Sequence, residues 1–367
     1  MKILYVSNAS NFIGAGGMEY HLLDITGWME QHDVQTALAV RKDTFFHRTL
    51  LKGRPHVYPL SWTGIRKFWS FFELARAVRE FAPDVVSINR ERDIIRVYGI
   101  VKLMGPFLKK RPAIVAVFHN LGWRSSWILE RLDGVIFPNR YMRESYLRGA
   151  GNGTLRSEVI YHGVPLPEVN SDDKFNKDRQ RRFFKEKRFP IIGMVGEMRK
   201  NQTELIDVAH HLKKKLRDFT IVLIGRGTDQ EISDLQKKID GYGLTDNVFL
   251  IGRVDRGRIP DIFYDLDVSV TTNRTEPFGM VFIESLASYT PLVAYNSGGP
   301  VEILEKGGGM LVDGGPENMA DTLFRLVSDD ALRTSLGMAG RKAVERHFSI
   351  NAMGENHFSF YRSIVRG

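Results

Sequence analysis

The sequence predicts an α/β fold built from two doubly wound parallel sheets in tandem. Three observations point there: short β-branched runs that are apolar on both faces, helical stretches alternating with them, and a restart of the whole pattern after a polar connector. At 367 residues the chain also exceeds the ~250–300 residues that one hydrophobic core serves.

In chain order the first set of runs is KILYVSN (2–8), QTALAV (35–40), DVVSIN (84–89), AIVAVFHN (113–120), GVIFPN (134–139) and SEVIYHGV (157–164). None of them alternates polar with apolar, so each predicts a strand covered on both faces. The charged stretch NSDDKFNKDRQRRFFKEKR (170–188) reads as the connector. The second set is PIIGMVG (190–196), FTIVLIG (219–225), NVFLIG (247–252), VSVTTN (268–273), PLVAY (291–295) and GGMLV (308–312). In sheets of this kind ligands bind outside the carboxyl ends of the strands, which directs attention to the residues just after each run.

Composition narrows the function classes. With 43% hydrophobic and 26% charged residues the chain is ordinary globular material, and it has no cysteine, which removes disulfides, thiolate metal sites and cysteine nucleophiles. The N-terminal apolar run is too short for a signal peptide and no run of ~18 apolar residues occurs, so a cytoplasmic protein is expected. Of the net charge of +9, most lies in the first half: residues 1–170 carry 23 Lys+Arg against 15 Asp+Glu, whereas residues 171–367 carry 29 against 28. A basic half suits a membrane surface, a nucleic acid or a phosphorylated substrate; a surface serving only solubility is the bland alternative.

Glycine-rich turns follow several runs: GAGGME (14–19), GEMRKN (196–201), GRGTD (225–229), PFG (277–279) and NSGGP (296–300). Gly14, Gly16 and Gly17 do not complete a dinucleotide fingerprint, and a need for positive φ explains any single turn. Five turns at strand ends suggest backbone N–H groups that approach phosphates.

The stretch EPFGMVFIE places Glu276 before a predicted amphipathic helix and Glu284 inside it, with Pro277 or Phe278 in the first turn and Met280, Ile283, Leu286 and Ala287 on one face. Eight residues at ~1.5 Å each set the two α-carbons up to ~12 Å apart, too far for one acid/base couple. The pair fits a diphosphate at the helix N-terminus, contacted through Gly279 and Met280, with a hydroxyl-bearing group on either side; the simpler reading is a solvated acidic helix start.

On these residues the chain resembles the retaining GT-B glycosyltransferases of family 4. The two glutamates separated by seven residues, E-x7-E, match at Glu276 and Glu284. The glycine loop at Gly14–Gly17, the histidine closing a central strand (His119), Gly225 and Gly227, the GRV turn at Gly252–Val254, and Gly298, Gly299, Pro300 and Glu302 follow in the family's order. The closing stretch from His347 resembles the family's last helix, which crosses back to the first domain.

The resemblance implies a GT-B fold, two Rossmann-like doubly wound domains facing each other across a cleft. An acceptor domain would span 1–168, a linker 169–188, a nucleotide-sugar donor domain 189–346, and the crossing helix 347–367. It makes Glu276 the sugar ligand, Glu284 the ribose ligand and His119 a group near the sugar. Phe278, Gly279 and Met280 would contribute backbone contacts, Gly16 and Gly17 the close approach of the loop, Gly225 a strand-end turn of the donor site and Val254 a backbone contact to the base. The family's usual arginine after the first strand of the donor domain is replaced here by Glu197, so the role of neutralising the diphosphate passes to Arg199 and Lys200.

The implied reaction moves a sugar from a UDP- or GDP-linked donor to an acceptor hydroxyl with retention, in lipopolysaccharide, polysaccharide or glycolipid synthesis. The partners expected are a nucleoside-diphosphate sugar and a sugar or glycolipid acceptor, with neither a metal nor a nucleic acid. A GT-B epimerase, a DNA glucosyltransferase and a non-catalytic nucleotide-sugar binder are the alternatives. Asp265-Leu266-Asp267 imitates a metal-binding D-x-D motif, but Asp265 at a helix end and Asp267 at a strand start fit capping and turn roles.

Two further stretches bear on the acceptor. SWTGIRKFWSFFELARAVREF (61–81) puts Phe68, Phe71, Phe72, Ala75 and Val78 on one helical face with Arg66, Lys67, Arg76 and Arg79 elsewhere, and RVYGIVKLMGPFLKKR (96–111) ends in Lys109, Lys110 and Arg111. Aromatic and basic residues together suit a helix lying on anionic lipid, which would place the protein peripherally on the inner face of the cytoplasmic membrane; the alternative is a helix packed on its own sheet.

Overall fold

The computed structural model describes residues 1–8, 16–62, 68–121, 126–148, 155–176, 178–185 and 190–366. Gly14, Arg66 and Lys67, named above, lie outside the described residues. The chain divides into two compact units, Met1–Gly163 with Ile350–Gly367, and Val164–Ser349.

The first unit runs β1 (Lys2–Ser7), α1 (Gly17–Gln31), β2 (Gln35–Arg41), β3 (Val57–Leu60), α2 (Trp69–Phe81), β4 (Val85–Ile88), α3 (Ile94–Met104), β5 (Ala113–Val117), β6 (Gly134–Phe137), α4 (Arg140–Leu147) and β7 (Ser157–Val159). All pairings are parallel, in the order β3-β2-β1-β4-β5-β6-β7, so the direction of winding reverses between β1 and β4. Alternate side chains fill two cores: Leu4, Val6, Val86 and Ile88 face α2 and α3, while Ile3, Tyr5, Val85 and Val115 face the opposite way toward α1. Burial of each such aliphatic side chain contributes about 1.5–3 kcal/mol, which is why the strands read as unbroken apolar runs.

The second unit contains α5 (Ser171–Phe175), β8 (Ile191–Val195), α6 (Gln202–Lys213), β9 (Thr220–Ile224), α7 (Asp229–Gly241), β10 (Val248–Gly252), α8 (Ile259–Asp265), β11 (Val268–Thr271), α9 (Met280–Ala287), β12 (Leu292–Tyr295), α10 (Gly299–Leu304), β13 (Gly309–Val312), α11 (Pro316–Ser328) and α12 (Asp330–Ala343). Its order, β10-β9-β8-β11-β12-β13, repeats the first sheet with the reversal between β8 and β11. Both sheets are thus Rossmann-like and doubly wound. The last helix, α13 (Ile350–Arg366), belongs to the first unit, where Trp28 Nε1 on α1 donates to Asn351 Oδ1 at 3.1 Å and the Tyr361 hydroxyl meets Ser87 Oγ at 2.9 Å.

Three expectations are corrected. The sequence reading misses β3, a four-residue strand containing Pro59; it lies at the sheet edge, where proline is tolerated. On α2 the buried face is Ser70, Leu74, Ala77, Val78 and Phe81, rotated from the predicted one, and it leaves Phe68, Trp69 and Phe72 exposed while Phe71 and Ala75 pack partly on the core. The helix after Glu276 begins at Met280, so Pro277 and Phe278 precede it.

Candidate functional site

In the second unit the loops after β8 and β11 flank the point where the winding reverses, the place where such sheets hold ligands. Asn201 Nδ2 donates to the Thr272 carbonyl at 2.9 Å and Thr272 Oγ1 donates to the Asn201 carbonyl at 2.6 Å, tying the two loops together. That junction sets Lys200 against Glu276: Lys200 Nζ lies 2.8 Å from Glu276 Oε2, and Asn273 Nδ2 donates to the same oxygen at 2.9 Å. The Glu276 side chain is 11% exposed and that of Lys200 36%, so the pair stands at the edge of solvent.

The backbone around Glu276 is equally fixed. Its carbonyl accepts from the Gly299 N–H at 2.8 Å, and Gly279 caps α9 with φ +101°, a conformation that stops the helix from starting any earlier. Phe278 is buried, packed near Phe348. Gly279 and Met280 sit at the positive end of α9. Within that helix Glu284 receives Arg256 at 2.6 Å, and the two line a cavity of about 270 Å³ with Pro165, Ile259, Phe263 and Ser288.

The adjoining turn after β9 closes on the one after β8. Gly225 has φ +154°, and a Cβ there would lie 1.8 Å from the Gly196 carbonyl oxygen, so only glycine allows this approach. Gly225 N–H donates to the Gly252 carbonyl at 2.9 Å, and Val254 packs on the core cluster that contains Ile224, Ile262 and Phe263.

Arg199 lies beside Glu197. Glu197 gathers both Arg199 and Arg226, each at 2.6 Å, and these guanidiniums more than offset the effect of burial, holding its carboxyl below the usual range. Arg199 thereby points to Glu197, with its side chain 72% exposed, while the neighbouring Lys200 reaches Glu276. The sequence reading gives Arg256, Asn273 and Arg226 no site role; their contacts depend on which strands are neighbours.

Asp265 and Asp267 serve structure. Asp265 accepts from the N–H groups of Arg182, Phe183 and Phe184 at 2.6–2.8 Å. Asp267 pairs with Arg179 and Arg181 and accepts from the Ile191 N–H.

In the first unit His119 stands two residues beyond β5, its backbone N–H held, together with that of Asn120, by the Glu91 carboxylate. Burial, then the charge of His357, lowers its pKa to about 3, so the imidazole is neutral at pH 7. Gly16 caps α1 and gives its N–H to Glu19 Oε2 at 2.9 Å; Gly17 is the exposed first residue of that helix.

Comparison with known proteins places the chain in a family. The model for glycosyl transferases group 1 matches residues 174–343 and that for Glycosyltransferase Family 4 matches 15–167. The chain belongs to the family 4 glycosyltransferases, and its fold is GT-B.

Among characterised relatives, D-inositol 3-phosphate glycosyltransferase of Xylanimonas cellulosilytica is 30% identical over 226 residues, 59% of this chain and 53% of that one, so the chain spans about half of that relative's length. The GDP-mannose-dependent alpha-(1-6)-phosphatidylinositol monomannoside mannosyltransferase of Mycobacterium tuberculosis is 25% identical over 66% of this chain and 67% of its own. A crystal structure of Anabaena HepE in complex with UDP and glucose superposes with a TM-score of 0.78 at 20% identity, covering 99% of this chain and 100% of that one.

Proposed function

We propose that the protein transfers a sugar from a UDP- or GDP-linked donor to an acceptor hydroxyl with retention of anomeric configuration, in lipopolysaccharide, polysaccharide or glycolipid synthesis. The observation that carries this reading is the Lys200–Glu276 pair at the reversal of the second sheet, with Glu284 further along the same segment. Lys200, joined by Arg199 once it leaves Glu197, neutralises the departing diphosphate, and Gly279 and Met280 add the positive end of α9. Glu276 uses Oε1 for hydroxyls of the sugar, Glu284 takes the ribose diol in place of Arg256, and backbone groups at Gly225, Val254 and Phe278 complete the nucleotide contacts. On the first unit His119 orients a sugar hydroxyl, and Gly16 and Gly17 let a phosphate or acceptor come close. These cations supply the charge the leaving group needs, so no metal takes part in the step.

In the reaction the bond from the anomeric carbon to the diphosphate oxygen breaks, the acceptor oxygen bonds on the same face, and its proton passes to the leaving phosphate. Hydrolysis of the donor with water as acceptor gives a direct test. Proton NMR of the sugar first released, read before mutarotation, is expected to show the donor's own anomer; the opposite anomer would rule out retention.

A lipid-linked acceptor is supported by the surface of the first unit. Phe68 is 70% exposed, Trp69 61%, Phe107 84% and Leu103 66%, on or beside two helices, α2 and α3, that contact each other. No described helix is long and apolar enough to cross a membrane, so the contact would be peripheral. Sedimentation with vesicles containing anionic lipid is expected to show binding that weakens with salt and falls about tenfold or more in Trp69→Ser/Phe72→Ser. Absence of binding at low salt would remove the membrane from the proposal.

A further inference from the structure

Four histidines from separate parts of the sequence meet inside the first unit. His21 stands on α1, His119 beyond β5, His162 beyond β7 and His357 on α13. The ring centroids of His21 and His162 are 4.5 Å apart, and those of His119 lie 5.1 Å from both. One ring nitrogen from each of His21, His119 and His162 can be chosen so that all three lie within 4.8 Å of one another.

Buried polar atoms in native proteins are nearly always satisfied. Here neither nitrogen of His21, which is 1% exposed, has a hydrogen-bond partner among the described residues, and nor does Nε2 of His119. A tetrahedral zinc with Zn–N bonds of about 2.1 Å requires ligand nitrogens about 3.4 Å apart, and imidazoles radiating from such a centre have centroids about 5 Å apart. The observed centroids match that spacing, and the nearly parallel rings of His119 and His162, with 10° between their planes, would have to rotate to aim at one ion. The donor set selects the ion. Imidazole nitrogens suit zinc, cobalt, nickel or copper, whereas calcium and magnesium take oxygen ligands, and the chain has no cysteine to compete.

We propose that His21, His119 and His162 form a three-histidine site for a divalent transition-metal ion such as Zn²⁺ or Co²⁺. His119 is the one partly exposed member of the set. Glu91, which holds the His119 backbone, supplies a carboxylate next to the site. The ion would join α1 to the ends of two strands of the sheet.

The test uses the untagged full chain, stripped with chelator and titrated with Co²⁺. One equivalent is expected to bind with the intense visible absorption of tetrahedral cobalt, to be displaced by Zn²⁺, and to raise the melting temperature. His119→Gln, at the partly exposed position, is expected to fold and to weaken binding at least about 100-fold, and His21→Gln to do the same if it folds. A His210→Gln/His211→Gln variant of the pair on α6 is expected to leave binding unchanged. No cobalt above background, or binding that survives His119→Gln and is lost in the α6 double variant, would overturn the proposal.

Discussion

Replacing Glu276 by alanine is expected to lower donor turnover by about 10²–10³-fold, while nucleoside diphosphate binds as well as before or slightly more tightly. The two effects have opposite signs for a structural reason. In the unliganded site Glu276 Oε2 neutralises Lys200 at 2.8 Å, so removing the carboxylate releases a cation toward phosphate as it deletes the acceptor for the sugar hydroxyls. Turnover measured with saturating donor and affinity measured by calorimetry with UDP and GDP separate the two. Equal losses in both would mean that Glu276 only shapes the loop. The fold should survive, because the Gly299 N–H bonds to the backbone carbonyl of residue 276, which alanine retains.

The second large effect concerns stability. Asp267→Asn is expected to cost about 3–5 kcal/mol, because it leaves two guanidiniums without their carboxylate where the side chains of Arg179, Arg181 and Asp267 are all 8% exposed or less. For a unit of this size that corresponds to a fall in melting temperature of about 6–20 °C. Burial alone would raise the pKa of Asp267, but Arg181 and then Arg179 outweigh it and hold the value below the usual range. A depressed carboxylate contributes stability that is complete above the ordinary pKa of about 4 and is lost as pH falls through the lower folded value. The gap between wild type and variant should therefore stay constant from pH 8 to 5 and close only in stronger acid. Were Asp265 and Asp267 instead to hold a catalytic metal, Asp267→Asn would abolish turnover and leave the melting temperature in place.

The sequence carries the fold because both sheets are covered on both faces. Ile3, Leu4, Tyr5 and Val6 point alternately into two cores and are all buried, so β1 reads as one apolar run. What escapes that signal is the edge strand with Pro59 and the rotation of α2. Its exposed aromatics dominate the hydrophobic pattern, although small residues, Ser70 and Ala77, take the buried side.

The candidate site divides in the same way. The spacing of Glu276 and Glu284 and the cation at Lys200 are local and visible. The pairing of Lys200 with Glu276 is not, since it requires β8 and β11, separated in sequence by three helices (α6, α7, α8) and two strands (β9, β10), to lie side by side. Arg256, 28 residues before Glu284, and the cluster of His21, His119, His162 and His357 likewise have no sequence signature, because only the fold brings them together.

Release of free nucleoside diphosphate from a panel of UDP- and GDP-linked sugars, with no metal added and Glu276→Ala alongside, tests the central claim most directly. Selective release from one donor that disappears in the variant is the expected result. Release that the variant retains, or a folded wild-type chain that binds neither UDP nor GDP, would contradict the assignment of Lys200 and Glu276 to a nucleotide-sugar site.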